Sequence, residues 1–358
     1  MSIKNKIKKR LRKKTPGFYL LLSTLARVVH RDERYINGVL LFQDDHDYEY
    51  LDIKHNGNTD YGKIIYVIKE NTGIDGFCAT LTFVACDLIF ATQNGLAPVV
   101  RLTKEFAYFD AEKSKETANP WDYYFVTKNN YDENTAMNVS YCNYFQTDLM
   151  RRRYNLDPYK VENYYNESIF EVCSPIVREY FTLRPEIVNA SADILKEVTE
   201  KGGKILGVHF RGTDYKQGYN NHPVYVDEKQ TIEEIQKAMD TGEFEAIFLA
   251  TDDALICERI KKAFSDTLII MFKDVFRSEG DESVAFSTNE REYHRYNLGL
   301  EVARDMYTLS LCDGLIAGKS SVSFWSNLYK HSRDEEYEYL HIIDNGNYSN
   351  NNEYFKES

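Results

Sequence analysis

Lys204-Ile-Leu-Gly-Val-His-Phe-Arg-Gly-Thr-Asp214 is an apolar run that ends abruptly in charge. Lys204 to Phe210 reads as a buried strand, and a polar loop over 211–230 follows it. Downstream the alternation continues. A helix is expected over Ile232–Met239 and a strand over Ala246–Ala250, with Asp252-Asp253 capping the next helix. Then come a strand over Thr267–Phe272, a helix over Leu298–Cys312 and a short strand over Gly314–Ala317. A helix over Val322–Lys330 and a strand over Tyr339–Ile343 close the series. Strands alternating with helices imply a mostly parallel sheet, with ligands at the carboxyl ends of its strands. That rule points to the loop after Phe210, the Asp pair after Ala250 and the turn after Ala317.

Upstream, Pro185 sits in the first turn of an expected helix whose Ile187, Ile194, Leu195 and Val198 recur at helical spacing. Gly202-Gly203 ends it. Phe181 to Pro185 reads as a linker. Further back, a strand over Lys63–Ile68, turn formers from Asn71 to Gly76, an apolar stretch from Phe77 to Ala91 and a strand over Ala97–Leu102 make one βαβ unit. The polar and aromatic stretch 103–180 is expected to hold helices and long connections. The fold class is therefore α/β. The division is a basic, amphipathic segment at 1–35, an N-terminal α/β domain at 36–180, a C-terminal α/β domain at 181–348 and a polar tail at 349–358.

The 358 residues allow two domains, and 43% of them are hydrophobic, enough for a core in each half. Net charge is −12, although the first fourteen residues carry eight Lys or Arg and no acid. The body is thus more acidic still, which argues against a nucleic-acid partner. The basic segment, with the short apolar run Phe18–Val29, suits residues 1–30 to peripheral contact with anionic lipid; a solubilising tail is the other reading. That run is too short to span a bilayer, and no cleavage site follows it. The six cysteines form no CxxC and read as buried thiols in a reducing compartment, so a cytoplasmic protein without zinc is expected. Asp44-Asp45-His46-Asp47 reads as a solvated loop.

Four places could carry chemistry. His209 and Arg211 share one face of the strand end, and Arg is the natural fork for a pyrophosphate; an Arg–Asp pair pinning the loop is the alternative. Gly318-Lys319-Ser320-Ser321 lies between a strand and a helix but lacks P-loop spacing, which weakens an ATPase reading. Free N–H groups and the positive helix end still make an anion site there, unless Ser320 or Ser321 is only an N-cap. Asp305 falls in the middle of the stripe Leu298, Val302, Leu309 and Cys312, where a carboxylate must be paired or face a ligand. Asp252-Asp253 reads as either an acidic site or a cap. HExxH and GxSxG are absent, which leaves protease and esterase readings without support.

His209-Phe-Arg-Gly-Thr-Asp214, His222-Pro223, Ala250-Thr-Asp-Asp253, Asp305 and Ser320-Ser321, in that order, resemble the fucosyltransferase superfamily. Gly76-Phe-Cys-Ala-Thr80 and Asn119-Pro-Trp-Asp-Tyr-Tyr-Phe125 are similar to its opening loop and aromatic stretch. The resemblance covers roughly residues 60–345. It implies a GT-B-like fold, two Rossmann-like domains facing a central cleft. It also implies inverting transfer of fucose from GDP-fucose to a glycan or lipid-linked glycan, without a metal or other cofactor. His209 and Asp305 would lie near the guanine, Arg211 at the β-phosphate and Ser320 and Ser321 at phosphate, with Asp214, Asp252 and Asp253 bracing the site. The chain departs from its relatives in having Gly212 after Arg211 and no Glu shortly after Asp214. Asp214, His222 or an acid of the N-terminal half is then left as the base. Another GDP-sugar, or a nucleotide- or glycan-binding protein without catalysis, is the alternative.

Overall fold

The computed structural model describes residues 51–69, 75–212, 214–278, 284 and 287–352, and only the backbone of Tyr144, Phe145 and Asp214. The expected basic segment, the 44–47 cluster and the end of the polar tail lie outside the described residues.

The protein is α/β, with two parallel sheets among the described residues. The first has the order β2-β1-β3, from β1 (Ile65–Ile68), β2 (Ala97–Val100) and β3 (Val139–Tyr141). Its crossover is α1 (Phe77–Gln93), which is buried on nearly every side because it is apolar nearly all round. β3 was not expected. It is three residues long and sits in the polar, aromatic stretch, where α2 (Tyr144–Arg153) and α3 (Glu167–Tyr180) follow it.

The second sheet has the order β6-β5-β4-β7-β8. Its strands are β4 (Ile205–Phe210), β5 (Ala246–Thr251), β6 (Leu268–Ile270), β7 (Gly314–Gly318) and β8 (Tyr339–Ile343). β4, β5 and most of β7 are buried throughout, as central parallel strands covered on both faces must be. Helices α4 (Pro185–Thr199), α5 (Glu228–Met239), α6 (Ala254–Ala263), α7 (His294–Leu311) and α8 (Ser321–Ser332) complete this half. The strand order reverses between β4 and β7, so a crevice opens at their carboxyl ends.

One apolar core runs through both halves, from Tyr66 and Phe90 to Phe248, Leu298 and Trp325. The Trp325 indole N–H donates to Thr82 Oγ1 at 2.9 Å, joining α8 to α1. Gly299 lets α7 approach the Tyr124 ring: a β-carbon there would lie 2.2 Å from the Tyr124 hydroxyl oxygen, which itself donates to the Tyr296 carbonyl. α3, placed by sequence before the expected boundary at 181, packs on α8 of the second half.

Candidate functional site

Sheet register brings the candidate residues together. His209 pairs with Ala250 on one side and Ala317 on the other, so Arg211, Asp252 and Ser320 emerge from adjacent strand ends. Arg211 Nη1 lies 2.8 Å from Asp252 Oδ2, and Asp252 Oδ1 accepts the Gly212 N–H at 2.9 Å. One carboxylate therefore fixes both the backbone turn and the guanidinium. Gly212 is required by close approach, since a β-carbon would stand 2.6 Å from that of Asp253. Asp253 itself is buried. It caps α6 by accepting from Leu255 N and Ile256 N, and it pairs with Lys216 at 2.9 Å. The adjacent acids thus divide the work: Asp252 aims Arg211, and Asp253 holds the helix.

Ser320 is the N-cap of α8, with its hydroxyl accepting the Ser323 N–H at 3.1 Å and lying 3.3 Å from His209 Nδ1. Its own N–H donates to the Tyr164 hydroxyl at 3.0 Å. The N–H groups left over belong to Ser321 and Val322, which find no acceptor among the described residues and line the cleft. The positive end of α8 is therefore presented through those two residues. Lys319 is buried and held by Asp344 at 2.5 Å and Asn347 at 2.7 Å. It is thus committed to the protein, which weakens the ATPase reading further.

A cleft of about 510 Å³ lies between the halves. One wall is the start of α1, Gly76 to Ala79, so a second helix N-terminus faces the same space. Beside the cleft lies a smaller cavity lined by His209, Asp305, Glu301, Phe276, Val275 and Leu298. Arg211, Tyr108 and Val322 line both spaces, so Arg211 and the α8 N-terminus stand at their junction.

Asp305 enters the smaller cavity from α7. Burial raises its carboxyl to about 7, against the lowering pull of Arg277 and Arg304. Its carboxylate forms no hydrogen bond or ion pair among the described residues. His209 is driven down to about 3, by burial first and by Arg211 second, so its ring is neutral at ordinary pH. Glu301 is held elsewhere, by Arg291 at 2.5 Å and the Phe276 N–H at 3.2 Å. Among the described side chains of this cavity, Asp305 is thus the acidic group placed to meet a ligand.

His222 lies in the cleft wall that Arg211 also lines, in ring contact with Tyr159, Tyr215 and Tyr219. Asp214 belongs to a short 3-10 turn after Arg211; its side chain lies outside the described residues. Asp75 and Asp157 are the carboxylates that the N-terminal half brings to the cleft. Sequence reasoning missed Tyr164, Tyr108 and Val322. Only the last carried a signal, as the residue after the expected cap.

No family model and no curated protein matches the chain. Solved structures similar to it include the NodZ α-1,6-fucosyltransferase soaked with GDP-fucose, at 16% identity and a TM-score of 0.46, covering 74% of this chain and 92% of that one. POFUT1 in complex with GDP-fucose is similar at 10% identity and a TM-score of 0.42, covering 81% of this chain and 98% of that one.

Proposed function

We propose that this protein is a GDP-sugar-dependent glycosyltransferase, with GDP-fucose as donor and a glycan hydroxyl as acceptor. The observation that carries the reading is the position of Arg211. It stands where a small cavity, suited to a base, opens into a larger cleft, suited to sugars. A nucleoside diphosphate sugar has that shape, with its diphosphate in the middle.

The chemistry follows from the residues. Guanine presents two donors side by side, N1–H and the 2-amino group, which match a carboxylate such as Asp305. Adenine and uracil do not offer that pair. When the sugar–phosphate bond breaks, negative charge grows on the departing GDP. The Arg211 guanidinium and the Ser321 and Val322 N–H groups supply fixed positive charge there, without calling on a metal. The acceptor oxygen attacks the opposite face of the anomeric carbon, inverting it. Its proton passes to a cleft base, for which His222 is the candidate on the acceptor side. The eight basic residues of the first fourteen would add contact with anionic lipid if the acceptor is lipid-linked; loss of vesicle co-sedimentation on their removal tests that.

Arg211 decides the central step. Replacing it with Ala should lower GDP-fucose turnover by about 100- to 1,000-fold, as removal of a transition-state donor does. Arg211→Lys keeps the charge and loses the fork, and should recover only part of that. Unchanged turnover in a folded Arg211→Ala protein would contradict the assignment.

A further inference from the structure

One wall of the cleft has its own construction. His222 is tilted 45° against Tyr159 at a centroid distance of 5.5 Å, and stands edge-on to Tyr219 at 5.9 Å and to Tyr215 at 6.2 Å. Asn220 and Asn221 line the cleft beside these rings. The loop that carries five of these residues is not free-standing. Asn221 N donates to Tyr348 O at 2.9 Å, Tyr348 N to His222 O at 2.8 Å, and Val224 N to Gly346 O at 3.0 Å. Asn220 N reaches Asn352 O at 2.7 Å. Asn347 accepts from Lys319 at 2.7 Å and donates to the Tyr159 carbonyl at 3.4 Å. The segment 344–352 therefore laces together the His222 loop, the Tyr159 turn and the strand end that leads to Ser320.

We propose that this wall is a subsite for one pyranose ring of the acceptor, and that residues 344–352 set its shape. The inference rests on the glycosyltransferase reading and names the acceptor class. Aromatic rings offer flat apolar faces to the C–H side of a sugar. Two neighbouring side-chain amides each donate and accept, which is what ring hydroxyls require. A peptide acceptor would be expected to use an open strand edge, and β4 is paired on both sides.

The test is saturation-transfer NMR on the full chain, with and without GDP. The probes are methyl glycosides of galactose and N-acetylglucosamine, and an N-acetyl serine amide as peptide surrogate. A glycoside should receive saturation on its ring protons and the serine amide should not. Tyr159→Ala should cut that transfer by about tenfold, while GDP affinity stays within about twofold because Tyr159 lines the cleft and not the base cavity. Tyr348→Ala, which touches the loop at the Gly218 turn and not the sugar, should weaken glycoside binding in the same direction. Circular dichroism verifies that each variant is folded. Transfer to the serine amide alone, to no probe, or undiminished in both folded variants would overturn the subsite. Failure of GDP to bind, with glycosides still bound at Tyr159, would strike the donor reading instead.

Discussion

Asp305 was legible at the residue scale because a carboxylate amid Leu298, Val302 and Leu309 breaks an otherwise apolar stripe. What periodicity does not reveal is the absence of a described partner for it, or the cavity in front of it. Its raised pKa has a direct consequence for binding. In the proposed guanine contact the ionised form would accept the two donors, and protonation would remove that capacity. GDP affinity should therefore be full well above pH 7 and fall towards tenfold per unit below it, following the carboxyl near 7. His209, neutral down to about 3, adds nothing to that profile. Titration calorimetry from pH 5.5 to 8.5 checks this. In Asp305→Asn the profile should flatten, with affinity lowered about 10- to 100-fold. Inosine diphosphate, which lacks the 2-amino group, should lose affinity in the parent protein and little in the variant. Equal discrimination in both would place the base elsewhere. Stability should be unchanged or higher in the variant, since a buried carboxyl is removed. The Arg211–Asp252 pair shows the opposite limit. Sequence suggested an Arg–Asp pair within the loop, with Asp214 as the acid; the pair with Asp252 spans two strands and depends on register that no local pattern encodes.

At the scale of elements, strands and helices of the second half were legible because each is a buried run between turn formers. β3 was not, because three residues among polar and aromatic neighbours carry too little pattern to be read. The α8 N-terminus shows how an element can divide one expected role among three residues. Ser320 is a cap, already used by Ser323 and Tyr164, and the free donors are on Ser321 and Val322. Two substitutions separate these roles. Ser320→Ala should cost about 1 kcal/mol of stability, as cap loss does, and change GDP affinity little. Ser321→Pro removes one N–H at the first helical position, where proline is tolerated after the extended Ser320. It should lower GDP affinity while leaving the melting temperature in place. Denaturant titration and calorimetry on both proteins give the comparison. A Ser321→Pro protein that binds GDP normally would remove the α8 terminus from the phosphate site.

For the whole molecule, the α/β class followed from alternation and the central cleft was implied by the resemblance, whereas neither revealed the seam between the halves. The core is continuous across it, and side chains far apart in sequence make it, as Trp325 with Thr82 and Gly299 with Tyr124 do. Gly299→Ala should therefore cost stability by about 1–3 kcal/mol or more through overpacking, with no chemistry altered at Arg211. Thermal denaturation alongside GDP binding verifies it, and an unchanged melting temperature would mean the seam yields. The C-terminal lacing of the acceptor wall likewise joins residues over 120 positions apart, beyond the reach of local reading. The most direct test of the central claim is a thermal-shift comparison of GDP, GDP-fucose, GDP-mannose, UDP-glucose and ATP, with magnesium and with chelator. A ligand at about a hundredfold excess over its Kd stabilises the native state by about 2.7 kcal/mol. GDP and GDP-fucose should raise the melting temperature equally with magnesium and with chelator, and UDP-glucose and ATP should not. A shift with ATP or UDP-glucose and none with any guanine nucleotide would contradict the GDP-sugar assignment.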